Sequence, residues 1–208
     1  MSVTSTRSIR IVGDSALLVE CASLSEVMAL HRGLSERPES VIDVVPAART
    51  ILVTVARHSE LEPVRRWLAE AALVTESPGA AAETVFIDVH YDGADLADVA
   101  RYTGLSEREL IACHTRSTWR VAFGGFAPGF AYLVTDHERL SVPRRNSPRT
   151  EVPAGSVALA GGFAGVYPRA SPGGWQLIGH TDADLWNVER EHPALLEPGV
   201  VVAFREAS

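Results

Sequence analysis

Lysine is missing altogether: all 19 basic residues of this 208-residue chain are arginine. Without a lysine amine there is no Schiff base and no phosphate-reaching lysine of a Walker-type loop, so any ATP chemistry must place its phosphates on arginines or on a partner chain. Cysteine is scarce as well. Cys21 and Cys113 lie far apart and form no CxxC pair, which excludes a disulfide scaffold and a thiolate zinc site and reads both as small buried apolar residues. The seven histidines, at 31, 58, 90, 114, 137, 180 and 192, form no HxxxH or HExxH pair, so no metal is expected. Neither GxSxG nor SxxK occurs, which removes the common serine hydrolases. Gly124, Gly125 and Gly129 make no GxGxxG and no dinucleotide unit follows them. No stretch approaches the roughly 18 to 20 apolar residues of a membrane helix, and no leader pattern opens the chain, so a cytoplasmic protein is expected.

What is present is ordinary in bulk and uneven in detail. Apolar residues make up 46% and charged ones 22%, with 26 acids against 19 bases for a net charge of −7. That acidity excludes a nucleic-acid binder driven by bulk charge. From Ile9 to Cys21, two short apolar runs flank Gly13-Asp14 and predict a hairpin. A helix follows over Ser23–Arg37, with His31 packed on its apolar face and Ser23 or Ser25 as the cap. Strands over Val41–Val45 and Thr50–Ala56 and a second helix over Leu61–Leu73 complete a ββαββα order. The breaker-rich segment Thr75–Glu83 reads as a linker, giving an α+β domain over 1–78 and a second domain over 84–208.

The second domain opens with a strand over Val85–Tyr91 and two short helices over Asp95–Tyr102 and Ser106–His114. Those helices resemble a helix-turn-helix, but Glu107 and Glu109 at the head of the second oppose phosphate contact, so DNA binding is set aside. Residues 114–176 then hold 9 of the 16 glycines and 6 of the 12 prolines. Long helices do not survive that density of breakers, and the runs Trp119–Phe123, Ser156–Ala160 and Val200–Phe204 point to a mostly β domain, a barrel. The same 63 residues carry seven arginines against three acids, whereas the remainder carries 12 against 23. A cationic island in an acidic chain suits a small oxyanion, because guanidinium forks bind carboxylate and phosphate bidentately. Within it, prolines stiffen PRRNSPR around Arg144, Arg145 and Arg149. The run FGGFAPGFAYL is too irregular to be wholly core and is expected to line a pocket or an interface. His114, ending a helix just before that run, is a candidate acid or base.

The segments GFAPGFAYL, VPRRNSPRTEVPAGSVALAGG, GVYP and SPGGWQLIGHT closely resemble the signature of the B subunit of the prokaryotic ATP-dependent 5-oxoprolinase, the KipI or allophanate hydrolase subunit 1 family; IVGDSALLVE resembles the start of that family. The resemblance implies a C-terminal cyclophilin-like β-barrel behind the α+β domain. It also implies two partners, the A subunit and the C subunit of the same enzyme, the latter being the KipA-like protein or allophanate hydrolase subunit 2. The implied reaction is cleavage of 5-oxoproline to glutamate at the expense of ATP, held with magnesium by those partners. Carried onto this sequence, the resemblance implies catalytic roles for His114, Arg144 and Arg149. Substrate contacts are expected at Phe126, Gly129, Tyr132, Ser156, Tyr167, Ser171, Gly173 and Trp175. Two positions depart from the family pattern: Phe163 replaces a usual glutamine and His180 a usual arginine. If those groups touch the substrate, a different amide or lactam is expected. Relatives of the family include an inhibitor of a sensor histidine kinase and the carboxyltransferase part of urea amidolyase, which supply the alternative functions.

Overall fold

The computed structural model describes residues 7–75 and 84–207. The chain divides into two compact units, Met1–Ala80 and Ala81–Ser208. The expected linker lies, Thr75 apart, outside the described residues.

The first unit follows the expected order: β1 Ser8–Val12, β2 Ala16–Glu20, α1 Leu24–Gly33, β3 Val41–Pro46, β4 Thr50–Val55 and α2 Leu61–Glu70. Its strands form an antiparallel sheet in the order β1-β2-β4-β3. Alternation decides which face is inside. Leu17 and Val19 of β2, with Ile51, Val53 and Val55 of β4, are buried in one cluster with Val27 and Leu30 of α1 and Leu61, Val64 and Leu68 of α2. Ser23 caps α1 by accepting from the Glu26 N–H at 3.2 Å, and the Glu26 carboxylate returns the bond to the Ala22 N–H at 2.7 Å. Both helices are shorter than their apolar periodicity predicts. The strip after α2 doubles back along α1, where the Val74 N–H meets the Ala29 carbonyl at 3.0 Å and Arg32 Nε donates to the Val74 carbonyl at 2.9 Å. The Val74 N–H is thereby unavailable for helix continuation, and α2 ends at Glu70 rather than Leu73. On the other side, α1 stops at Gly33 instead of Arg37. His31 is half-buried rather than fully packed.

The second unit is mixed α/β around a nearly closed barrel-like sheet. Its elements are β5 Thr84–Val89, α3 Leu96–Thr103, α4 Glu107–Arg116, β6 Trp119–Gly124, β7 Ala131–Val134, β8 Arg149–Val152, β9 Ser156–Ala160, β10 Phe163–Val166, β11 Ser171–Gly173, β12 Gln176–His180 and β13 Val201–Glu206. Seven strands run in the order β12-β9-β10-β7-β6-β13-β5, and a bridge between His90 and His180 joins the two ends. Closure of this kind removes the exposed sheet edges that invite aggregation. A separate ribbon pairs β11 with β8. The expected helix over Ser106–His114 is α4, which Ser106 and Glu109 cap reciprocally. Val99 and Ala100 of α3 and Leu110 of α4 are buried in the barrel's core with Trp119, Leu133, Leu159 and Phe204. The helix pair therefore serves the barrel core. Cys21 is buried as expected, but Cys113 is only partly so and lines a surface cavity. None of the described helices is long and apolar enough to cross a membrane.

One turn brings the later site together. Gly93 lies so near β12 that a Cβ there would sit 2.3 Å from the Ile178 carbonyl carbon and 2.4 Å from the Leu177 oxygen. No side chain fits in that gap, and its absence lets Asp95 reach the backbone of Leu177.

Candidate functional site

The aromatic loop turns on a strained residue. Phe126, at φ 67°, is the one non-glycine residue with positive φ among those described. Around it the Ala127 N–H donates to the Gly125 carbonyl at 2.8 Å, so Phe126 is the centre of a γ-turn. A residue carrying a Cβ loses about 1–2 kcal/mol in such left-handed backbone. The residue is nonetheless 57% exposed, its ring edge-on to Phe130 at 5.2 Å and Tyr167 at 6.0 Å. Strain combined with an exposed aromatic ring is not what stability alone would retain. The backbone part can be isolated. Phe126→Gly is expected to be more stable than Phe126→Ala by about 1 kcal/mol, the reverse of the order in regular structure, as measured by paired denaturant melts.

Behind Phe126 stands an aromatic wall. Phe130 contacts Tyr132 at 5.1 Å, Tyr167 at 5.4 Å and Trp175 at 5.6 Å, all edge to face. Such pairs lock one another's rotamers and contribute roughly 0.5–1.5 kcal/mol each beyond area burial. Gly165 makes room for the wall, since a Cβ there would meet Phe130 Cζ at 2.7 Å and Trp175 at 3.1 Å. Gly173 faces the Tyr167 hydroxyl, 2.5 Å from where its own Cβ would stand. Gly129, at φ 81°, lets the loop pass Leu185 and Trp186. Beside it is a surface pocket of roughly 300 Å³ lined by Pro128, Pro168, Arg169 and Trp186.

The arginines sit on the rim of this wall. The PRRNSPR segment is tied down by the Arg145 N–H on the Gly174 carbonyl at 2.8 Å and by Gln176 Nε2 on the Pro143 carbonyl at 3.1 Å. Arg149 opens β8 and pairs in register with Gly173. Arg144 is exposed and has no carboxylate partner among the described residues. Burial pushes the Tyr167 hydroxyl pKa up, while the Arg144 and Arg149 charges pull it the other way. Both guanidiniums are thus electrostatic neighbours of that hydroxyl.

Sequence reasoning missed the anchor of this cluster. Asp95, 1% exposed, accepts on Oδ1 from Arg145 Nη1 at 2.5 Å and Arg149 Nη2 at 2.8 Å, and on Oδ2 from the Leu177 N–H at 2.7 Å. Burial alone would raise its pKa. The hydrogen bonds from Arg149 and Leu177 and the charges of both arginines outweigh that and hold it below the ordinary carboxylate value. An aspartate just before a helical run reads as a cap, and the 50 residues to Arg145 hide the pairing. Arg145 was legible within the cationic island, yet the family pattern singles out only its neighbours Arg144 and Arg149.

Two other expected site residues belong to the strands around this wall. Ser156 is buried in β9, its backbone carbonyl receiving the Tyr167 N–H at 2.9 Å. The Ser171 hydroxyl donates to the Arg169 carbonyl at 3.2 Å. His114 departs furthest. It is 0% exposed, packed against Phe204 at 4.4 Å and Trp119 at 5.1 Å. Its Nδ1 shares a 2.7 Å hydrogen bond with the Tyr91 hydroxyl, and Nε2 has no protein partner. A ring shut into the core meets no substrate, so the acid–base role expected from its sequence position has no access in this structure. Of the two departures from the family pattern, Phe163 joins the aromatic wall, 5.5 Å from Tyr132. His180 lies at the barrel seam, stacked on His90 at 5.0 Å and bonded to Asp92 at 2.8 Å. A larger cavity of about 630 Å³, lined by Cys113, Arg116, His137 and Arg139 among others, contains none of the expected site residues. Among the described residues no group of three or more His, Cys, Asp or Glu is placed to hold a metal ion.

Known proteins resemble this chain along most of its length. Residues 7–196 match the family model for the carboxyltransferase domain, subdomain C and D. The B subunit of 5-oxoprolinase from Escherichia coli O157:H7 is 40% identical, over 93% of this chain and 93% of its own. That of Bacillus subtilis (strain 168) is 36% identical, over 93% and 90%. Among solved structures, TTHA0988 is 32% identical with a TM-score of 0.77; the match covers 97% of this chain, which spans only 40% of that one. The Kluyveromyces lactis urea carboxylase, 17% identical with a TM-score of 0.74 over 100% of this chain and 22% of its own, shares the fold. Matched along nearly its whole length by the domain model and by two such B subunits, the chain belongs to the 5-oxoprolinase B-subunit family of carboxyltransferase C and D domains.

Proposed function

We propose that this chain is the B subunit of an ATP-dependent 5-oxoprolinase. With the A subunit and the KipA-like C subunit it hydrolyses the lactam C–N bond of 5-oxo-L-proline to give L-glutamate, and it is inactive alone. The observation that carries this reading is the 40% identity to a 5-oxoprolinase B subunit over 93% of both chains. The arginine rim beside an aromatic wall suits a small anionic lactam. In the same reading, residues 1–78 and 84–208 are separate domains, the second cyclophilin-like.

A lactam is a poor electrophile until its oxygen is loaded. The γ-phosphoryl of ATP passes to the lactam carbonyl oxygen and ADP leaves. Water then adds to the carbon and the C–N bond breaks with a proton going to nitrogen, which leaves an acyl phosphate; a second water hydrolyses that to the carboxylate of L-glutamate and free phosphate. With no lysine and no phosphate loop in this chain, the nucleotide and its magnesium belong on the partner subunits. This chain's share is positioning. Arg144 and Arg149 hold the carboxylate or phosphoryl charge, and N–H groups of the glycine-rich turns face the developing oxyanion. Phe126, Tyr132, Tyr167 and Trp175 enclose the ring of the substrate, while Gly129, Ser156, Ser171 and Gly173 shape the backbone around it.

The test is ATP-dependent glutamate release from 5-oxoproline by this chain assembled with its A and C partners, each then omitted in turn. Activity is expected from the full set and none when this chain is left out. An intact complex without activity would overturn the reading. The carboxyltransferase family model and the urea carboxylase fold favour one second reading, a partner of a biotin enzyme. No lysine here can carry biotin, so that reading requires transfer activity with a separate biotinylated carrier. Suppression of a sensor histidine kinase by the isolated chain would instead mark the inhibitor.

A further inference from the structure

Asp95 occupies the N-cap position of α3, where an aspartate ordinarily bonds the free N–H groups of the first helical turn. Its side chain makes no such bond. The carboxylate is turned instead to Arg145 and Arg149, and it is fixed from behind by two bonds to the backbone of Leu177: the Asp95 N–H donates to the Leu177 carbonyl at 2.9 Å and Oδ2 accepts from the Leu177 N–H at 2.7 Å. A stabilising cap has been given up to hold two guanidiniums. The charges do not cancel, since one carboxylate faces two cations. Arg149 is 22% exposed in its side chain, and its Nη1 is buried with no hydrogen-bond partner in the protein. An unsatisfied donor on a charged group is costly, and native structures tolerate one chiefly where something else completes it.

We propose that Asp95 is a positioning residue: by gripping Nη2 of Arg149 it locks the guanidinium plane, so that the part of this side chain left exposed faces a substrate oxyanion beside Tyr167 in one orientation. Arg145 is the second strut, bonded to the same Oδ1 and to the backbone of Gly174. This rests on the oxoprolinase reading for the identity of the anion, but the locking itself does not.

Two measurements separate those parts. In the isolated wild-type chain, restricted rotation should give Arg149 resolved Nη signals by nitrogen-15 NMR; a single averaged signal would overturn the positioning role without any variant having to fold. In the assembled complex, Asp95→Asn is expected to lower kcat/KM for 5-oxoproline about tenfold and to add nothing further in an Arg149→Ala background, because it acts through that residue. Equal losses in both backgrounds would make Asp95 merely structural and sink the proposal, as would an Arg149→Ala complex of full activity. If the wild-type complex releases no glutamate, the oxoprolinase reading fails, while the Arg149 signals still decide whether Asp95 holds the guanidinium.

Discussion

Replacing Arg149 with alanine in the assembled complex is expected to lower kcat/KM for 5-oxoproline about a hundredfold, the loss usual when one preorganised donor to a developing oxyanion is removed. The fold should survive, because Asp95 keeps Arg145 and the Leu177 N–H as partners. Arg149→Lys is expected to recover little. An ammonium is a point charge on a flexible stem and cannot bond Asp95 with one nitrogen while offering another to the substrate. Steady-state kinetics on complexes matched for assembly would check this, and turnover unchanged by the alanine variant would remove Arg149 from the mechanism.

The second large effect is on stability and comes from His114. Burial depresses its pKa from the ordinary 6.5 to about 3. Below pH 6.5 the unfolded chain binds a proton at this histidine that the folded chain refuses, so acid favours unfolding. Stability from this group is complete above pH 6.5 and falls by up to roughly 1.4 kcal/mol for each pH unit down towards 3. Asp95 also loses its depressed-pKa contribution in acid, but at lower pH, through the ordinary carboxylate range and below. Denaturant melts between pH 7 and 4.5 should therefore show an acid-dependent loss that largely disappears in His114→Gln. Direct titration of the wild-type imidazole by NMR gives the same answer without a variant. A ring that protonates near pH 6.5 in the folded chain would contradict the structure.

Asp95 and His114 show why part of the site was hidden from the sequence. A histidine at a helix C-terminus next to an aromatic, glycine-rich loop has the sequence context of an acid–base group. Whether its ring turns outward or inward depends on packing against Phe204 and Trp119, and Phe204 lies 90 residues further on. An aspartate before a helix looks like a cap, and only the approach of Gly93 to β12 reveals that its carboxylate points elsewhere. The strain at Phe126 was equally invisible, because backbone φ follows from the closed loop between β6 and β7 and not from residue type.

Local signals, by contrast, were legible wherever periodicity or turn chemistry repeats over several residues. The ββαββα order, the helix over Ser106–His114 and the strand-rich glycine segment all followed from patterns of two or 3.6 residues and from breakers. The absence of lysine and the arginine island followed from composition and already pointed to an anion held by guanidinium forks. Helix lengths in the first unit fall short of the apolar periodicity, which runs past Gly33 and Glu70; α2 ends where the Val74 N–H turns to the Ala29 carbonyl instead of continuing the helix. Sequence by itself thus determined the order of the elements, the family and the clustering of the arginines, since these are properties of near neighbours in the chain. Only the tertiary structure decided which arginine is anchored, by what, and which histidine is shut away, because those outcomes depend on contacts between residues about 50 to 90 positions apart.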